Sequence, residues 1–153
     1  MPMPTCEYRA LGRVEYEQAA RMQEELVRRR RRGEICDQLL FLEHPHVITK
    51  GSGASEEHIL VDAERRTRLG LTVHESGRGG DVTYHGPGQL VGYPILQLRK
   101  DEQDAHGYLR RLEEVLIRAL SGWGTEASNG CSDGGTWLWP KTGAVLCSAT
   151  YAT

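Results

Sequence analysis

The chain has 153 residues, 39% of them apolar and 26% charged, and a formal net charge of −2. That length suits one modest domain, the composition excludes wholesale disorder, and the charge excludes nucleic-acid binding by bulk electrostatics. No apolar run approaches the roughly 18 residues of a membrane span, and the N-terminus lacks the basic-then-apolar layout of a secretory signal, so a cytoplasmic protein is expected.

Tyr8–Val14 reads as a short extended segment, and Glu15–Arg32 as a helix with Ala19, Met22, Gln23, Leu26 and Val27 along its apolar stripe. The helix ends in the run Arg28–Arg32, closed by Gly33. Basic residues suit the negative end of a helix; the run reads either as a solvated face or as a docking patch for an acidic carrier protein. Asp37–Glu43 is a short, continuous apolar run and is expected to be a buried strand. Val47–Thr49 is extended and leads into a Gly/Ser loop at Gly51–Gly53. Short helical turns are expected at Ser55–His58 and Ala63–Leu69, followed by a strand at Thr72–Glu75.

Leu90–Leu98 is a strong strand, in which Pro94 cannot donate to a ladder and so calls for a bulge or a nearby edge. Asp104–Leu120 is the clearest helix, capped by Asp104, with Tyr108, Leu109, Leu112, Val115, Leu116, Ala119 and Leu120 on its apolar face. A polar loop at Thr125–Asp133 precedes a strand at Gly135–Pro140. Strands and helices alternate without repeats, which favours a sheet with helices packed on it. Cys6, Cys36, Cys131 and Cys147 form no CxxC pair and no metal-ligand spacing, so neither a metal site nor a disulfide framework is expected.

The stretch RGGDVTYHGPGQLVGYP, Arg78–Pro94, concentrates glycine and proline around one arginine and one histidine. Gly79 and Gly80 let successive N–H groups turn toward one point, beside the permanent charge of Arg78. Val82-Thr83-Tyr84 is rich in strand formers; Pro87 presets φ, and Gly88 can take the positive φ of a type II turn. Two strand segments are therefore expected to bracket a tight turn with His85 at its mouth, Gly86 and Gly92 leaving room for a slender apolar substrate, and Tyr93 donating a hydroxyl. An ordinary glycine-rich turn with a structural histidine is the alternative. A phosphate loop is excluded, because GxxxxGK[ST] is absent and the stretch leads into a strand.

RGGDVTYHGPGQLVGYPILQL closely resembles the signature of the lipoyl(octanoyl) transferases, RGG-x-x-T-[YW]-H-G-P-G-Q-L-V-x-Y. LGRVEY near the start, LLFLEHPHVITKG at Leu39–Gly51, YLRRLEEVLIRAL after the motif and GTWL at Gly135–Leu138 agree in order, so the resemblance runs from Tyr8 to Leu138. It implies an α/β (α+β) fold, a mixed sheet flanked by helices like the biotin and lipoate protein ligases, in a single catalytic domain over residues 1–153. It also implies an octanoyltransferase with no cofactor. The donor would be octanoyl-acyl carrier protein, and the acceptors lysines on lipoyl domains of 2-oxoacid dehydrogenases and on glycine cleavage H protein. Neither nucleic acid nor membrane is an expected partner. The implied substrate-binding residues are Arg78, Gly79, Gly80, Asp81, Val82, Thr83, Tyr84, His85 and Tyr93, with Ser148, Ala149 and Thr150.

Members of that family carry the acyl group on a cysteine whose pKa a lysine lowers, a sound route because a thioester exchanges readily with a thiolate. Here Val145 stands at the lysine position, and Thr150 replaces a glycine. Cys147 falls in the lysine segment rather than the nucleophile's, and the segments HG[FL]ALN and PCG[IL] are absent. The C-terminal portion of the domain is thus expected to be missing, through a fragment or a frameshift near Pro140, and no catalytic residue is assigned. Two other readings stay open: an inactive acyl- or carrier-binding fragment, and an ATP-dependent lipoate or biotin ligase, which the transferase-like signature disfavours.

Overall fold

A computed structural model describes residues 5–122 in full, and the backbone of residues 136–138 and 145–147. Helix α1 spans Tyr16–Arg31, with Ala19 and Leu26 buried and Met22 and Val27 packed against the core, as the stripe predicts. It stops because Gly33 takes φ 71°, which lets the N–H groups of Gly33 and Glu34 reach back to the carbonyls of Arg30 and Arg29, each at 3.0 Å. The arginine run at this end is largely offset. Arg28 pairs with Glu24 and Glu25, Arg29 and Arg32 with Glu34, and Arg30 with Asp37. That pattern fits a solvated, ion-paired face better than a bare basic patch.

Strand β1 (Cys6–Arg13) runs parallel to β2 (Asp37–Glu43), with a register shift between Ala10 and Arg13 where Gly12 takes φ 67°. β2 alternates, burying Gln38, Leu40 and Leu42 while its other residues are half-buried; it is a one-sided strand rather than one buried on both faces. β3 (Val47–Lys50) pairs in parallel with β4 (Thr72–Glu75) and antiparallel with β5 (Val82–His85). β6 (Val91–Ile95) runs antiparallel to β2 without a shift through Pro94, at the edge of the described sheet. The strand orders are β1-β2-β6 and β4-β3-β5, so two three-stranded mixed sheets take the place of the single sheet expected. β7 (Thr136–Leu138) and β8 (Val145–Cys147) form a separate antiparallel pair.

The division has one cause. β2 and β3 are consecutive, as are β5 and β6, and each pair is interrupted at a proline, Pro45 or Pro87. The last pairs on either side of the break are Leu42 with Val91 and Val47 with His85. Residues 43–46 therefore stand opposite 86–90, one residue more, and the two sheets are halves of one bent antiparallel ribbon. The two strand segments expected to bracket a tight turn at Gly86–Gly88 are both present. The turn exists, with Gly88 at φ 87° and the Gln89 N–H donating to the Gly86 carbonyl at 3.1 Å, but β5 and β6 pair with β3 and β2 rather than with each other. Non-local pairing overrides the local turn signal.

The remaining elements frame this ribbon. A 3-10 turn at Glu56–His58 is capped by Ser55, and α2 (Ala63–Leu69) starts at the Asp62 carboxylate and ends at Gly70, φ 61°. Helix α3 (Ala105–Ser121) is capped by Asp104, which accepts from the N–H groups of His106 and Gly107. Its expected apolar face is only half-covered among the described residues: Leu109, Leu112 and Leu116 are half-buried and Val115 is 61% exposed. Glu113, paired with Arg110, is the α3 residue that is buried, at 3% exposure, which the apolar periodicity did not foretell. The core consists of Val14, Ala19, Leu26, Leu40, Leu42, Val91, Tyr93 and Ile95, the side of the first sheet that α1 covers. No helix among the described residues is long and apolar enough to cross a membrane.

Beyond β3 and β5 the ribbon continues as two loops laced together by backbone bonds. Gly51, Ser52 and Gly53 donate to the carbonyls of Asp81, Arg78 and Gly80, at 3.1, 3.0 and 3.0 Å. A Cβ at Gly51 would overlap the carbonyl group of Gly80, and backbone on both sides cannot give way easily. Gly51→Ala is expected to cost about 1–3 kcal/mol in urea denaturation, the usual range for overpacking. A loss below about 0.5 kcal/mol, the size of an ordinary surface substitution, contradicts this close approach.

Candidate active site at the bend of the ribbon

The laced loops hold Arg78 in one pose. Its Nη2 donates to the carbonyls of Thr49 (2.9 Å) and Asp81 (2.6 Å), and its Nη1 to the carbonyl of Gly79 (3.0 Å). Thr49, itself buried, also receives the guanidinium on its hydroxyl, from Nη2 at 3.3 Å. Arg78 thus spans the ends of β3 and the RGG loop, a planar fork well suited to several carbonyls at once. Burial lowers the guanidinium pKa, while Tyr16 and Asp81 raise it. Gly80 takes φ 83°, which allows the chain to turn beneath the fork.

At the bend itself, where ladder bonding stops, side chains take over the pairing of polar groups. His44 is fully buried; its Nδ1 lies 2.7 Å from the Val14 carbonyl and its Nε2 lies 2.8 Å from the Tyr93 hydroxyl. A carbonyl only accepts, so Nδ1 carries the proton, and in the neutral ring Nε2 accepts from Tyr93. His85 is 7% exposed, and its Nδ1 lies 2.6 Å from Oε1 of Gln89, an acceptor that again puts the proton on Nδ1. The His44 ring sits edge-on to His85, 5.9 Å between centroids, and 5.5 Å from Tyr16.

Burial is the main cause that lowers both imidazoles below their ordinary value; for His85 the nearby His44 and Arg78 lower it further, while Gln89 opposes. Both rings are therefore neutral near pH 7. Burial also raises the Tyr16 and Tyr93 hydroxyls, so they remain protonated donors. The result is a compact, mostly buried group of two neutral imidazoles and two phenols beside one held cation, able to accept and relay a proton.

Several implied site residues are brought together and others are not. His85 and Tyr93 converge on His44, and Arg78 lies near enough to His85 to lower its pKa. Thr83 lies on the same strand face as His85, and its carbonyl accepts from the Thr49 hydroxyl at 3.4 Å. Tyr84 points the other way, 49% exposed and stacked on His46, with its hydroxyl 2.6 Å from that ring's Nδ1. Asp81 faces outward to His58 at 2.7 Å and caps the Val82 N–H; the His58 bond is the main cause that lowers its pKa. The room expected at two glycines is taken: the Tyr84 side chain occupies the position beside Gly86, and the Phe41 ring lies against Gly92. Both glycines make way for the protein's own aromatics, a correction to the substrate space expected there. Ser148, Ala149 and Thr150 lie outside the described residues.

Sequence reasoning missed His44, Tyr16, Thr49 and Gln89. The available signal was HPHVITKG, a histidine pair flanking a proline directly after an apolar strand, where a chain break leaves backbone groups in need of partners. Among the described residues no group of His, Cys, Asp and Glu side chains is arranged to hold a metal ion. A shallow groove between α1 and β4, lined by Glu15, Gln18, Arg21, Thr72 and His74, contains none of the implied site residues.

The family model of the lipoyl protein ligase A/B catalytic domain matches residues 15–138, and the chain belongs to that family. It is 46% identical over 144 residues to an octanoyltransferase of Solibacter usitatus, covering 94% of this chain and 66% of that protein. It is 49% identical over 138 residues to an octanoyltransferase of Rubrobacter xylanophilus, covering 90% and 60%. The chain thus spans about three fifths of the length of these curated relatives. Among solved structures, a lipoate-protein ligase A bound with ATP superposes with TM-score 0.59 at 19% identity, over 92% of this chain and 57% of that one. A bi-partite lipoate protein ligase from Thermoplasma acidophilum gives TM-score 0.59 at 20% identity, over 82% and 49%. These two likenesses show the fold, a mixed α/β arrangement as expected.

His44→Phe removes a partner from both the Val14 carbonyl and the Tyr93 hydroxyl inside the core. The Tyr93 hydroxyl keeps Gln23 as a partner, so the Val14 carbonyl is the group left unpaired, and a loss of about 1–3 kcal/mol is expected in urea denaturation. A loss under about 1 kcal/mol contradicts the role assigned to the ring. Because both buried imidazoles are lowered, the unfolded chain binds protons below about pH 6.5 that the folded chain does not. Stability is therefore full above that value and falls as pH drops through it. Urea midpoints compared at about pH 7.5 and about pH 5.5 check this, and an unchanged midpoint contradicts it.

Proposed function

We infer that the protein takes part in octanoyl transfer for protein lipoylation, and that the bend of the ribbon forms the wall against which the acyl thioester reacts. The observation that carries this reading is the 46% identity to an octanoyltransferase across 94% of the chain. In this reading octanoyl-acyl carrier protein is the donor and a lysine of a lipoyl domain is the acceptor, in the cytoplasm, with glycine cleavage H protein among the acceptors. Arg78, Gly79, Gly80, Thr83, His85 and Tyr93 are the substrate-binding residues. Asp81, Val82 and Tyr84 support the loop and strand that hold them.

The acyl group passes through a cysteine thioester whose sulfur lies outside the described residues. Of the two described thiols, Cys6 pairs with Asp37 at the end of β2 farthest from His44, and partial burial with Asp37 and Cys36 nearby raises its pKa. A thiol held protonated is a poor nucleophile. Cys36 directly precedes that same end of β2. The neutral, proton-accepting character of the His44–His85 group supports an amine acceptor, which must shed a proton as it is acylated. A second reading, an acyl-binding protein without turnover, is favoured by Val145, which supplies no amine where the resemblance expects a lysine.

Intact-protein mass after incubation with octanoyl-acyl carrier protein, before and after hydroxylamine, separates the two. In the transferase reading a single octanoyl adduct that hydroxylamine removes is expected, on Cys131 or Cys147, although neither stands in the nucleophile segment that the resemblance implies. A folded protein that gains no adduct contradicts the transferase reading and leaves the binding one.

A further inference from the structure

The turn after His85 does more than carry the chain across the bend. Pro87 and Gly88 close it, with the Gly86 carbonyl receiving the Gln89 N–H at 3.1 Å, and the Gly88 N–H is tied to Oε2 of Glu43 at the end of β2, also 3.1 Å. Glu43 thus fixes the turn to the opposite strand, and the turn folds the Gln89 side chain back over four residues onto His85. No ladder bond needs this arrangement, because β5 and β6 already pair with β3 and β2. The contact it secures is the 2.6 Å bond from His85 Nδ1–H to the Gln89 amide oxygen. Nε2 of His85 has no hydrogen-bond partner among the described residues.

We propose that Gln89 is a positioning residue that holds His85 in its Nδ1–H form, leaving Nε2 as the proton acceptor for the lysine amine in the octanoyl transfer inferred above, on which this step rests. As the amine nitrogen bonds to the acyl carbon, the C–S bond breaks and the sulfur leaves as thiolate. The surplus proton of the nitrogen passes to Nε2 of His85 and from there to water, so the products are amide, thiolate and one proton. An imidazole protonated on Nε2 has no lone pair there and cannot take this part. Gln89 itself touches no reacting atom; it acts by its bond to Nδ1.

The test is histidine ¹⁵N NMR of the wild-type chain, Gln89→Leu and Gln89→Glu near neutral pH, with octanoyl transfer to a lipoyl domain measured alongside. The wild-type His85 should show Nε2 as an unprotonated, pyridine-type nitrogen and Nδ1 as the protonated one. Q89L should shift the ring toward the Nε2–H form and slow transfer by about 10²-fold, the lower range for loss of a general base. Q89E, still an acceptor for Nδ1–H, should keep the wild-type tautomer and recover most of the rate. A wild-type ring protonated on Nε2, a Q89L ring unchanged from wild type, or a switched Q89L ring with undiminished transfer each overturns the proposal. If Q89L does not fold, the wild-type and Q89E spectra decide the tautomer. Absence of transfer in the wild type contradicts the functional reading by itself, and the spectra still decide whether Gln89 sets His85.

Discussion

The two hydrogen bonds of His44 are the constraint on which the rest of the structure depends. A ribbon that bends must interrupt its ladder, and each interruption leaves backbone groups that cannot be buried unpaired without cost. Here the interruption falls at Pro45 and Pro87, and the histidine before the first proline bonds the Val14 carbonyl on one side and Tyr93 on the other. Val14 links β1 to α1, and Tyr93 lies on β6, so one ring ties the first sheet, the helix start and the bend together. The same interruption leaves a buried place beside the last ladder pair, Val47 with His85, where the His85 ring packs edge-on to His44.

Electrostatics follow from that burial. An imidazole removed from water favours its neutral form, and for His85 the adjacent His44 adds to the effect. Arg78 contributes charge nearby, but its donors are largely engaged by the carbonyls of Thr49, Gly79 and Asp81. It shapes the loop more directly than it offers a free anion site. The glycines divide in the same spirit. Gly51 permits backbone approach and Gly88 a left-handed turn, whereas Gly86 and Gly92 admit Tyr84 and Phe41.

Much of this was legible in the sequence, and the parts that were not share a physical reason. Helix α1 was readable from its 3.6-residue stripe and its Gly33 stop, and α3 from Asp104, because periodicity and caps are local. The type II turn at Gly86–Gln89 was likewise local. The partner of each flanking strand was not, since strand pairing is decided by the bent ribbon as a whole and a tight turn is equally compatible with a hairpin or a step between sheets. His44 escaped notice because its importance comes from Val14 and Tyr93, 30 and 49 residues away. The buried Glu113 on α3 ran against the apolar pattern of that helix, and Arg110 pairs with it from the preceding turn. The glycine-rich signature loop, by contrast, stood out by composition alone, because close backbone approach demands glycine wherever it occurs.

The most direct test of the central claim, that the acyl donor binds at the bend, is chemical-shift mapping of the chain with an octanoyl-pantetheine analogue in which a methylene replaces the thioester sulfur. The account predicts perturbations centred on Gly79, Gly80, His85 and Tyr93, with Gln18, Arg21 and His74 in the groove between α1 and β4 unmoved. Perturbations centred on that groove, or none at saturating analogue, would contradict it.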